Sequence, residues 1–147
     1  MRIVIGSDHA GFELKEFVKE RLLSWGHEVH DAGTHSEASV DYPDFARAAC
    51  GELLSGGAER AILVCGSGVG MSMAANRFRG VRAVLCTGLY LARYSRLHND
   101  ANVLCLPGRL MGKGLCEEVL KVWLETPFEG GRHARRVQKL DEEGGAP

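Results

Sequence analysis

A chain of 147 residues with 45% hydrophobic content matches a single domain with one continuous core. Eighteen basic and 19 acidic side chains leave a net charge of -1, so there is no extended basic field of the kind that holds nucleic acid or an anionic membrane. The longest unbroken apolar run, Ala61 to Cys65, falls far short of the roughly 18 residues of a membrane span, and Gly6 and Asp8 interrupt the start before a signal-peptide core forms, so the cytoplasm is the expected compartment.

Arg2 to Ile5 reads as a strand, after which Leu14, Phe17, Val18, Leu22 and Trp25 recur at helix spacing until Gly26. His27 to Asp31 is a weaker strand, followed by a polar loop through Ser39. A helix opened by Pro43 comes next, with Phe45, Ala48, Ala49 and Leu53 on its inner face and Gly56-Gly57 at its end. Arg60 to Cys65 is the clearest buried strand, because it is apolar without alternation, as expected when helices cover both faces of a sheet. Val81 to Cys86 and Asn102 to Leu106 complete the strands, with helices over Leu89 to Leu97 and Met111 to Leu124. This alternation predicts an α/β fold, a Rossmann-like three-layer αβα sandwich on a five-stranded parallel sheet, occupying residues 1–128. From residue 129 the character changes: Gly130-Gly131 forms a hinge, and residues 129–147 carry a basic helix or tail with Arg132, His133, Arg135, Arg136 and Lys139, frayed from Glu142 to Pro147.

Five cysteines are an odd number without a C-x-x-C pair, and no His or Cys stands at zinc-ligand spacing, so neither a disulfide framework nor a metal site is expected. Glycine is abundant, and three glycines, Gly66, Gly68 and Gly70, fall directly after the buried strand. Leaving a strand and entering the small-residue stretch Met71 to Ala75, they let backbone N–H groups converge on an anion. The pattern lacks the Lys of a Walker loop and the third glycine of a dinucleotide fingerprint. Cys65 sits at the mouth of this cradle, where a helix N-terminus lowers a thiol pKa, and it is a candidate base or nucleophile. Cys50, Cys86, Cys105 and Cys116 read as core.

Ligands in such sheets bind beyond the carboxyl ends of the strands. Asp8 and His9 follow the first strand and Arg109 the last, while His98-Asn99-Asp100 lies in the loop before it; His9 and His98 are both expected at the site edge as acid–base candidates. Tyr42 reaches from the same edge toward a sugar hydroxyl or is a half-buried loop aromatic. The tail arginines are either a solvated face or, through their planar forks, a phosphate clamp that reaches another subunit.

Several motifs together resemble the B-type ribose-5-phosphate isomerases and the wider family that includes galactose-6-phosphate isomerase. They are Gly6-Ser7-Asp8-His9-Ala10-Gly11-Phe12, Asp41-Tyr42-Pro43, Cys65-Gly66-Ser67-Gly68-Val69-Gly70, Ser95-Arg96 with His98-Asn99-Asp100-Ala101-Asn102-Val103, and Glu129-Gly130-Gly131-Arg132-His133 with Arg136. The resemblance implies an aldose–ketose isomerase that interconverts ribose 5-phosphate and ribulose 5-phosphate through an enediolate. It implies no metal or organic cofactor, and a homodimer or a dimer of dimers with sites at the subunit boundary. It makes Cys65 the base, His98 the ring-opening acid–base group, and Asp8 its assistant. The resemblance further gives Ser67 and the N–H groups from Gly66 through Gly68, Val69 and Gly70 to the enediolate, Asn99 to hydroxyls, and His9, Arg109, Arg132 and Arg136 to the phosphate. Many family members carry threonine where this chain has Ser67, and the lost methyl loosens the pocket near C1. The competing readings are a hexose-6-phosphate isomerase acting on allose or galactose 6-phosphate, and a non-catalytic sugar-phosphate-binding protein.

Overall fold

The computed structural model describes residues 1–143. Five strands, β1 (Arg2–Ser7), β2 (Glu28–Asp31), β3 (Arg60–Cys65), β4 (Ala83–Leu85) and β5 (Val103–Pro107), form one sheet in the order β2-β1-β3-β5-β4, every neighbouring pair parallel. The crossovers are α1 (Phe12–Ser24), α2 (Tyr42–Leu54), α3 (Val69–Ala75) and α4 (Leu89–Leu97), and the sheet is followed by α5 (Lys113–Glu125) and α6 (Arg132–Glu143).

Side chains on a strand alternate between the two faces, which divides the core in two. Ile3, Ile5, Ile62, Val64, Leu104 and Leu106 face Leu14, Val18 and Leu22 of α1, Ala92 of α4, and Val119, Leu120 and Trp123 of α5. Val4, Ala61, Leu63, Cys65, Val103 and Cys105 face Ala46, Ala49 and Cys50 of α2 and Met71 and Ala75 of α3. The direction of the chain reverses between β1 and β3, since β2 lies on one side of β1 and all later strands on the other. A crevice opens at such a switch point, above the carboxyl ends of the strands.

β3 and α4 have the bounds read from the sequence. Elsewhere the edges move for local reasons. Helix α1 stops at Ser24, with Trp25 as its cap and Gly26 at φ +86 turning the chain. Helix α5 starts at Lys113, because the Leu110 and Met111 N–H groups bond to Pro107 O in a tight turn. On α2 the inner residues are Ala46, Ala49 and Cys50, while Ala48 faces solvent. Residues 130–131 turn rather than release the chain: Glu129 N–H bonds to Leu97 O at 3.0 Å, Val137 of α6 is buried, and Arg82 grips Asp141 at 3.0 Å. Of the expected frayed end, Glu142 and Glu143 close α6, and residues 144–147 lie outside the described residues.

Candidate active site

A cavity of about 390 Å³ opens at the switch point, lined by Asp8, His9, Ala10, Tyr42, Cys65, Gly66, Ser67, Gly70, Arg109 and Leu110. Its walls are the ends of β1, β3 and β5, held together by loop hydrogen bonds. Asp8 N–H bonds to Val64 O at 3.2 Å, Gly108 N–H to Cys65 O at 2.8 Å and Arg109 N–H to Gly66 O at 3.0 Å. These latches carry the strand register into the loops, so the side chains that follow each strand are fixed relative to one another.

Each group in the cavity has a defined orientation. Asp8 is buried and takes the Gly11 N–H on Oδ1 at 3.0 Å just before α1, and its Oδ2 has no hydrogen-bond partner among the described residues. The Val40 N–H donates to His9 Nδ1 at 3.2 Å. A neutral ring that accepts on Nδ1 carries its proton on Nε2, so His9 presents a donor on its other nitrogen. Cys65 ends β3 with 4% of its surface exposed, and Gly66, Ser67, Gly68 and Gly70 have N–H groups without hydrogen bonds among the described residues. Gly68 makes the turn possible: its φ is +76, and a Cβ there would come within 2.6 Å of Leu85 and 3.1 Å of the Leu106 backbone. Ser67 Oγ accepts the Val69 N–H at 3.2 Å, which leaves the hydroxyl proton free to donate into the cavity. The Tyr42 ring packs flush against Gly70, within 2.8 Å of where a Cβ would stand.

The other four cysteines are unsuited to proton transfer. Burial pushes Cys50 up to about 11 and Cys116 up to about 12, and raises Cys86 and Cys105 as well, so all four are thiols at neutral pH.

Gly68 and Val69 do not line this cavity, and the Val69 N–H expected to face the ligand is taken by Ser67 Oγ; His98, Asn99, Arg132 and Arg136 do not line it either. The sequence reading grouped His98 with His9 at one edge of the sheet, and the topology corrects it. Helix α4 runs back along the sheet, so its C-terminal His98 lies beside the start of β5, whereas Cys65 lies level with Pro107 at its end. From Ala61 to Cys65 alone the sheet runs about 13 Å. Helix α6 joins His98 at that far edge, with the His133 ring stacked on the His98 ring at 4.1 Å. Arg132 and Arg136 stand exposed on α6. The loop is stapled there: Arg96 reaches Asp100 at 2.8 Å and the Ala101 carbonyl at 2.7 Å, and Arg82 reaches Asp100 at 3.3 Å.

Three further features were not read from the sequence. Lys15 is fully buried, with Nζ on both Asp31 oxygens at 2.7 and 2.8 Å and on Thr34 O at 2.6 Å. It fixes the loop whose Gly33 O and Thr34 N–H extend β1 through Ser7, next to Asp8. Ala10 and Leu110 line the cavity without having been singled out. Contrary to the expectation that no group has metal-ligand spacing, His98, Glu129 and His133 come together, with ligand atoms within 4.8 Å of one another. The E-x-x-x-H interval from Glu129 to His133 is the signal that was available in the sequence.

A doubly wound α/β domain with a thiol above free backbone donors, and with acid, imidazole and guanidinium groups in the same cavity, defines an enzyme whose site lies at the carboxyl edge of its sheet. The chain belongs to the ribose/galactose isomerase family, whose model matches residues 3–140. It is 43% identical to ribose-5-phosphate isomerase B of Escherichia coli over 95% of this chain and 93% of that one. Galactose-6-phosphate isomerase subunit LacB of Clostridium acetobutylicum is 38% identical, over 97% of this chain and 83% of that one. The crystal structure of a ribose 5-phosphate isomerase from Thermotoga maritima superposes with a TM-score of 0.94 at 56% identity, covering 96% of this chain and 97% of that one. Among the described residues no helix is long and apolar enough to cross a membrane.

Proposed function

We propose that this chain interconverts ribose 5-phosphate and ribulose 5-phosphate, and that each active site is assembled from two copies. The observation that carries the reading is the position of Cys65, at the floor of a cavity between Asp8, His9 and Arg109 and beside the N–H groups of Gly66, Ser67, Gly68 and Gly70, which have no hydrogen bond among the described residues. A thiolate there takes the proton from C2 of the open-chain aldose and returns it at C1. The enediolate between these steps carries negative charge on oxygen, and preorganised N–H donors stabilise that charge at no cost of solvent reorganisation. The Ser67 hydroxyl, its proton free, moves a proton between O1 and O2. His9 Nε2–H and Arg109 hold the phosphate, whose fixed charge supplies the remote binding energy that orients the reacting carbons.

The remaining groups come from the second copy. His98 opens the furanose ring with help from Asp8, Asn99 binds hydroxyls, and Arg132 and Arg136 close on the phosphate. Their collection at the amino edge of the sheet, away from their own Cys65, supports a homodimer in which each far edge meets the partner's cavity; a symmetric pair then has two equal sites. Five free cysteines suit a reducing compartment, and the cytoplasm is the one we assign.

A second reading, turnover of a hexose 6-phosphate, is favoured by one feature: serine at position 67 leaves more room beside the cradle than threonine would. Initial rates with ribose 5-phosphate and allose 6-phosphate, side by side, separate the two. The pentose phosphate is expected to have the higher kcat/KM; a higher value for the hexose phosphate would reverse the assignment.

A further inference from the structure

At the far edge of the sheet, Glu129 lies between two imidazoles. Its Oε2 is 3.9 Å from His98 Nε2 and its Oε1 is 3.9 Å from His133 Nε2. These gaps are too long for hydrogen bonds. His133 is 96% buried by its 4% exposure, and its Nε2 has no hydrogen-bond partner among the described residues. A buried polar nitrogen left in that state requires an explanation. We propose that His98, Glu129 and His133 form a binding site for one borderline divalent cation of the Zn²⁺ type, and that its occupancy inhibits the enzyme by taking His98 away from the sugar ring. The inhibitory half of this inference rests on the role given to His98 above.

The geometry fits such an ion with small movements. Donor atoms on a tetrahedral zinc, with bonds of about 2.0–2.1 Å, stand about 3.3 Å apart, and one ligand atom from each residue already lies within 4.8 Å of the other two, so no gap must close by more than about 1.5 Å. Glu129 is half exposed on the turn before α6 and has room to move, and the stacked rings need only tilt their Nε2 atoms toward it. Two nitrogens and a carboxylate oxygen leave a fourth position for water, the arrangement of an open zinc site. Arg132 and Arg136 work against ions held by charge alone, such as Ca²⁺ and Mg²⁺, and leave selection to imidazole nitrogen.

The test titrates Zn²⁺ into the chain against a chromogenic chelator, without substrate, and measures ribose 5-phosphate isomerisation in parallel. The expected result is one Zn²⁺ per chain, loss of activity at that stoichiometry, and recovery with EDTA. Glu129→Gln, exposed and safe for folding, and His133→Gln should each weaken Zn²⁺ by at least about tenfold and keep their turnover in Zn²⁺ that silences the parent. Equal affinity in parent and both variants would overturn the site. With Co²⁺ as probe, the bound ion should lack a thiolate charge-transfer band; such a band, lost in Cys65→Ala, would move the ion to Cys65 and overturn the proposal. Zinc bound at these residues without inhibition would overturn the inhibitory role. A chain that binds zinc here but turns over no ribose 5-phosphate would sink the proposed reaction and leave the metal site standing.

Discussion

The two ends of this sheet are built in different ways. At the carboxyl edge, strand termini place Asp8, Cys65 and Arg109, and backbone bonds lock each loop to its neighbour. The groups there sit where the sheet puts them. At the amino edge, His98, Asn99 and the α6 arginines hang on a helix end and a tail, held by side-chain pairs from Arg82 and Arg96. A rigid edge suits proton transfer at carbon, where small displacements are costly, and a stapled, more exposed edge suits groups that must meet a second molecule.

The largest expected effect breaks the rigid edge chemically. Cys65→Ala should lower kcat by at least about 10³-fold, within the range for losing a general base, while KM stays within about tenfold because phosphate binding is untouched. Steady-state kinetics with ribose 5-phosphate measure both, and retention of a tenth of the parent kcat would remove Cys65 as the base.

Charge pairs provide the next contrast. Burial pushes the Asp31 carboxyl up, but hydrogen bonds from Lys15, the Gly33 N–H and Lys19 outweigh it and hold the pKa below the usual carboxylate range. Asp31→Asn strands a buried ammonium and should cost about 3 kcal/mol, whereas Asp141→Asn at the amino edge, where the carboxylate is 38% exposed, should cost under about 1 kcal/mol. Because the folded value is depressed, the Asp31 contribution is present above pH about 4, the unfolded value, and fades as pH falls through the folded one. Urea melts of parent and Asp31→Asn should therefore converge in acid. A constant gap down to pH about 2 would contradict the pairing.

A smaller contrast uses two glycines with positive φ. Gly68→Ala meets both an unfavourable backbone angle and the Leu106 main chain, and should cost about 3 kcal/mol; Gly130→Ala, at φ +72 with nothing within 4 Å, should cost about 1 kcal/mol from the angle alone. Denaturant midpoints compare them, and equal losses would mean that the cradle is no tighter than the turn.

The rigid edge was largely legible in the sequence because it is made of residues that directly follow strands. A continuous apolar run fixed β3, and Cys65 through Gly70 follow it without a gap. His98 was legible as a residue of the loop before the last strand, and its assignment to the edge of His9 fails because loops before a strand and loops after one lie at opposite edges of a parallel sheet. Lys15 stands beside Leu14 on the inner face of α1, but a lysine in a helical pattern reads as solvent-exposed until its partner Asp31, on another element, is known. Residues 98 and 133 meet only because the turn after Glu129, whose N–H bonds to Leu97 O, sets the start of α6 against the end of α4, a packing choice that no local periodicity encodes.

The central claim is that neither edge completes a site within its own chain. Cys65→Ala keeps the far edge and loses the base; Arg132→Ala with Arg136→Ala keeps the base and loses the clamp. Mixed under conditions of verified subunit exchange, the two inactive proteins should form heterodimers in which one site carries both defects and the other carries neither. About a quarter of parental activity is then expected from an equimolar mixture, since about half of the dimers are mixed and each has one intact site. No recovery despite exchange would return the arginines to the chain whose cysteine they serve.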